Sequence, residues 1–141
     1  MNINNMQKKQ TKNLMIYLVS LGIIFLLFIF LISVTLIGLS VKERCQMAQN
    51  RYQGDCVESL VRYLEDEENN FQSRNSAIWA LGQLGDSRAL PVLEKYYTGY
   101  EGGKSKINEQ ISQYELMKSI KLAKGGFNIT SFFWRFGQGI N

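Results

Sequence analysis

Residues 14 to 39 read LMIYLVSLGIIFLLFIFLISVTLIGL, with no charge, no Asn or Gln and no proline. Wound as an α-helix at 1.5 Å per residue, the stretch reaches about 39 Å, longer than the roughly 30 Å of a bilayer's hydrocarbon. A soluble alternative would need a protein body wrapped around all sides of it, and a chain of 141 residues is too small to supply one. The expectation is a single membrane span over 14–41, preceded by a basic head, 1–13. The bilayer is thus the first partner that the sequence implies. A secretory leader has a much shorter apolar core and a small-residue cleavage site. Here the exit reads Leu39-Ser40-Val41-Lys42-Glu43-Arg44, so the expected element is an uncleaved anchor.

Charge flanking the span does not orient it by count. Lys8, Lys9 and Lys12 stand before it, and Lys42, Arg44 and Arg51 after it. The head contains no acid, and it precedes a first span. That tips the reading toward an inside N-terminus and a body outside. From Lys42 onward there are 13 basic and 12 acidic residues, so the body is nearly neutral. Without a basic stripe, and with the acidic run Glu65 to Glu68, it is not read as a nucleic-acid binder.

The body repeats a helical pattern. Cys45, Ala48 and Tyr52 fall on one helical face, Gly54-Asp55 breaks the run, and Val57, Leu60, Val61 and Leu64 mark a second helix. A shift of 32 residues carries these positions onto Ala77, Ala80 and Leu84, then Ala89, Val92, Leu93 and Tyr96. The turn Gly85-Asp86 answers Gly54-Asp55 with a one-residue slip. Self-similarity at this period is the sign of an α-solenoid. On this geometry Cys45 and Cys56 lie near opposite ends of one helix, about 10 Å or more apart. Two unbridged thiols are therefore expected, because a disulfide needs Cα atoms within about 7 Å.

The second unit, RNSAIWALGQLGDSRALPVLEKYY, carries Arg74, Ala77, Ala80, Leu81, Gly82, Leu84, Gly85, Asp86, Arg88, Ala89, Leu90, Pro91 and Leu93 in a recurring order. In that order it resembles a HEAT repeat, specifically the HEAT-like form named after phycobilisome lyases. The hairpin at 43–66 is a degenerate copy. Physical roles follow from residue type. Ala77 and Ala80 permit close helix approach, Gly85 permits a positive φ, Asp86 caps the next helix, and Pro91 fits only near a first turn. The resemblance further implies that Asp86, Arg88 and Arg74 link neighbouring hairpins.

The expected architecture is all-α: the transmembrane helix, a HEAT-like domain over 42–100 with about two hairpins, a C-terminal capping helix within 101–126, and an aromatic tail, 127–141. The capping helix is placed at 105–124, with Ile107, Ile111, Tyr114 and Met117 on one face. In the tail, Phe127, Phe132, Phe133, Trp134 and Phe136 either cover the solenoid's end or meet a membrane or partner, and Trp79 is a further candidate for a membrane or partner contact. Asn128-Ile129-Thr130 matches a glycosylation tripeptide.

The chain has no histidine, which removes the commonest general base and metal ligand. It has no zinc-like cysteine spacing, P-loop, dinucleotide fingerprint or nucleophile elbow. No catalytic, metal or cofactor site is expected. The functional expectation is a membrane-anchored scaffold that holds a protein partner. Alternatives are a small accessory subunit of a membrane complex and, through the resemblance, a bilin lyase-like or chaperone protein.

Overall fold

A computed structural model describes residues 3–103 and 110–138, with side chains over 8–103 and 110–135. Among the described residues the chain is helical and contains no strand. It divides into two units, residues 1–35 and 36–141.

Helix α1 (Ile3–Gln49) runs for 47 residues without a break. Its stretch in the first unit exposes Leu14, Leu18, Leu21, Phe25, Phe28 and their large apolar neighbours to the surroundings. The two hydroxyls near its end are satisfied internally: Ser33 donates to the Ile29 carbonyl and Thr35 to the Leu31 carbonyl, each at 2.9 Å. Such back-bonding lets polar residues sit in an apolar helix without leaving a donor unmet. Among the described residues, α1 is the one helix long and apolar enough to cross a membrane.

The second unit begins with the last turns of α1, where Gly38, Val41, Cys45 and Ala48 recur at helical spacing and are buried. The chain then turns through Gly54 into α2 (Cys56–Glu65). Asp55 caps α2 by accepting from the Glu58 amide at 2.9 Å, and the Glu58 carboxylate returns to the Asp55 amide. This reciprocal pair satisfies two otherwise orphaned helix-start donors.

Helix α3 (Phe71–Leu84) follows, capped by Asn70, and ends at Gly85 with φ 60° and ψ 30°. That left-handed conformation costs glycine no Cβ clash. A short 3-10 turn, Ser87–Ala89, leads into α4 (Leu90–Tyr96). Pro91 falls in the first turn of α4, where a missing amide donor removes no helical hydrogen bond. Helix α5 (Gln113–Ala123) packs along α3, and α6 (Ile129–Gln138) completes the described chain. Leu60, Leu64, Ile78, Leu81, Leu93 and Leu116 form the fully buried core. Burial of each such side chain stabilises the fold by about 1.5–3 kcal/mol.

Three findings differ from the sequence reading. First, Cys45 and Cys56 form a disulfide, with Cα atoms 5.0 Å apart. The expectation of separated thiols placed Cys56 beyond the far end of a helix reaching Tyr52. In fact α1 stops at Gln49, and six residues of turn suffice to bring the start of α2 back beside it. Second, α5 begins at Gln113 rather than near 105. Ile111 precedes it, Ser112 is its cap, and Ile107 lies outside the described residues. Third, residues expected as a plain tail form the helix α6, beyond the expected hairpins and capping helix. The sequence reading missed α6 because Gly125-Gly126 and a run of aromatic residues look like the end of regular structure.

Candidate interaction surface

The repeat's charged residues are spent inside the domain. Arg74, buried on α3, donates from Nε to the Leu64 carbonyl at 2.8 Å. It thus supplies a donor to one of the last carbonyls of α2, which lacks a helical partner. Its guanidinium also lies over the rings of Phe71 and Tyr96, at 6.0 and 5.3 Å from their centroids. One arginine so touches α2, α3 and α4.

Asp86 caps the 3-10 turn by accepting from the Arg88 amide at 2.9 Å. The Arg88 guanidinium binds both Asp86 and Asp55, and so joins the two Gly-Asp turns. Hydrogen bonds hold both carboxyls below the usual carboxylate range: for Asp55 chiefly the Glu58 amide and then Arg88, for Asp86 chiefly the Arg88 side chain. Arg88 itself is raised, by Asp86 first and then Asp55. Arg135 of α6 donates to the Gln83 carbonyl at 2.6 Å, close to the same edge; burial lowers its pKa. Asn128, in the glycosylation-like tripeptide, donates to Gln83 and caps α6 through Ser131. Its side-chain amide is therefore engaged in the fold.

Alanines and glycine set the close approach of helices. Ala77, Ala80 and Leu81 are buried on α3, as are Ala89 and Leu93 in the following turn and helix. At Gly82, an added Cβ would sit 2.8 Å from the Ser119 Cα, and the Ser119 hydroxyl donates to the Ile78 carbonyl at 2.8 Å. Glycine is needed there because the α5 backbone itself is in the way. Asn75 pins the approach to α5: it accepts from the Ser112 amide at 2.8 Å and donates to the Gln110 carbonyl at 2.9 Å. Ser119, Ser112 and Asn75 had no sequence signal, since their partners lie 35 to 41 residues away.

Gln72, Ser76 and Trp79 lie on one face of α3, with Gln72 exposed and the other two half-buried. Trp79 is half-buried and lines an open groove of about 380 Å³ with Ser40, Arg44, Gln72, Asn75 and Glu115. An indole flanked by a cation and a carboxylate can take an apolar side chain and pair with polar groups beside it. In α6, Trp134 is 2% exposed, whereas Phe132 and Phe133 remain exposed at 61% and 48%. The structure therefore separates the aromatic residues: Trp134 is inside, and the pair at 132–133 is outside. The Phe136 side chain lies outside the described ones. Among the described residues, no three metal-ligating side chains converge.

Residues 73–98 match the family described as PBS lyase HEAT-like repeat. The match covers the repeat formed by α3, the turn and α4, and leaves the rest of the chain without a family match. No curated protein and no solved structure shows significant similarity to the chain.

Proposed function

We propose that this chain is a membrane-anchored helical-repeat scaffold, non-catalytic, which holds a protein partner on the oxidising side of a membrane. The observation that carries the binding role is where the repeat's polar residues go. Arg74, Asp86 and Arg88 are consumed by contacts within the fold, while the groove around Trp79 faces outward. Anchoring is supported by the exposed apolar length of α1, which water would not tolerate. The Cys45–Cys56 bridge supports placing the body on an oxidising side, since such bonds persist in oxidising compartments. This agrees with an acid-free basic head retained inside.

Affinity capture from detergent-solubilised membranes tests the scaffold reading when wild type is compared with Trp79→Ala. The variant removes a half-exposed ring and leaves the buried core in place. Loss of about 90% of a captured partner is expected, the tenfold effect of an anchor worth roughly 1.4 kcal/mol or more. Equal capture by both proteins would move the contact away from this groove. Thiol titration of the denatured protein, with and without prior reduction, checks the compartment: two thiols should appear only after reduction.

A further inference from the structure

Arg44 stands apart from the other arginines of the domain. Arg51, Arg74, Arg88 and Arg135 each donate to an oxygen of the fold, and Arg62 is exposed to solvent. Arg44, near the end of α1, is half-buried. Its one hydrogen-bond acceptor among the described residues is the Met47 thioether, at 3.7 Å. A thioether accepts weakly, whereas a guanidinium carries five donors in a planar fork. Partial burial takes water from that fork without giving it an oxygen.

Arg44 lines two depressions. One is the groove that holds Trp79 and Glu115; the other, smaller, is lined by Met47, Leu60, Tyr63, Ser73 and Ala77 besides Arg44. Glu115 is the one acid among these described lining residues, and it pairs with Lys118 at 3.6 Å rather than with Arg44. The groove therefore sets a half-buried indole beside a cation that has no counter-ion among the described residues.

We propose that the partner held in the Trp79 groove is an acidic polypeptide segment, which lays an apolar side chain on the indole and gives a carboxylate to Arg44. The proposal rests on the groove reading above and deepens it by naming what is recognised. Charge complementarity carries it: Arg44 lacks a counter-ion, and the acid nearby is engaged by a lysine. A carboxylate can take a guanidinium through two parallel hydrogen bonds, which fixes direction as well as charge. Arg44 thus selects the acid and sets the partner's register, while Trp79 supplies contact area without regard to charge.

The test uses the full chain in micelles of a maltoside detergent, which carries no phosphate. The probe is a dye-labelled amphipathic peptide with two leucines and one glutamate on one helical face; its twin has glutamine at the acidic position. Binding is read as anisotropy of the dye, less the signal with micelles alone. The glutamate peptide should bind about tenfold more tightly than its twin, the scale of a hydrogen-bonded charge pair. Arg44→Gln should erase that preference and leave binding of the glutamine peptide unchanged. Arg44→Glu should transfer the preference to a lysine peptide. Should Arg44→Gln misfold by circular dichroism, Arg44→Lys keeps the charge without the fork and should reduce the preference to about threefold.

Equal binding of the two peptides by wild type overturns the proposal, as does a preference that survives Arg44→Gln. Binding of neither peptide overturns it too. If short-chain anionic lipid then shifts Trp79 emission, the groove belongs to a headgroup instead. Trp79→Ala separates this inference from the groove reading. Peptides bound equally by wild type and both lost in that variant defeat the acidic partner alone. Peptide binding and partner capture that are both indifferent to Trp79→Ala defeat the groove itself.

Discussion

The two neighbouring hairpins of the domain share a plan and differ in how they are fastened. In the second, α3 and α4 are set by small residues and one arginine: Ala77 and Ala80 are buried, Gly85 turns left-handed, and Arg74 reaches back to the Leu64 carbonyl. In the first, the end of α1 and α2 lack that consensus. A disulfide joins them instead, and a polar cluster closes the far end. There the Tyr52 hydroxyl donates to Asp66, Arg51 pairs with Asp66 at 3.2 Å, and Asn69 donates to the Tyr63 carbonyl at 2.9 Å. Burial raises the Tyr52 pKa, while the bond from Tyr52 lowers that of Asp66. The first hairpin, outside the family match, thus adds cross-links, one covalent and several polar, to its buried apolar residues.

The comparison breaks most visibly at the disulfide. Cys45→Ser with Cys56→Ser removes a cross-link over a short loop, and a loss of about 3 kcal/mol is expected. Unfolding followed by Trp79 and Trp134 emission in detergent should place the double variant where reduced wild type lies. Coincidence of the variant with oxidised wild type would mean that the polar cluster alone fastens the first hairpin.

In the second hairpin, Gly82→Ala drives a methyl against the α5 backbone at Ser119. Overpacking of this kind costs about 1–3 kcal/mol. The loss should appear in the same unfolding curve, whereas Gly22→Ala, with nothing within 4 Å of the new methyl, should leave it unchanged.

The smallest effect belongs to the link between the two hairpins. Arg88→Ala removes a largely exposed bridge and should cost less than about 1 kcal/mol. Its pH dependence identifies it. Asp55 and Asp86 have lowered folded pKa values, so their contribution is fully present above the unfolded value of 3.8 and is lost as pH falls through the folded values. The Arg88-dependent share should follow that course. Wild type and variant should therefore differ at pH 6 and converge in acid, below the lowered pKa values. A difference that persists there would assign the effect of Arg88 to packing rather than charge.

The same contrast explains what was legible in the sequence. The unbroken apolar run made α1 legible and apolar periodicity made α3 legible, while the Gly-Asp turns marked where hairpins fold. The cysteine bridge could not be read, because it depends on whether α1 ends at Gln49 or Tyr52, and a difference of less than one turn decides whether two thiols meet. The groove at Trp79 was legible only as one outward ring; Ser40, Arg44 and Glu115 join it from segments distant in sequence. α6 was missed as a helix, although its alternation of inner Trp134 and outer Phe132–Phe133 follows helical spacing.

The 11-residue separation of Cys45 and Cys56 also bears on the order in which the body is built. Closing so short a loop takes little chain entropy and needs nothing beyond α2. A growing chain can lock this pair before Ile78, Leu81 or Leu116 has been synthesised. The locked pair then offers a preformed face on which α3 condenses, and α5 condenses on α3 in turn. Assembly then follows the order of the helices along the chain, and the hairpin outside the family match is the one equipped to go first.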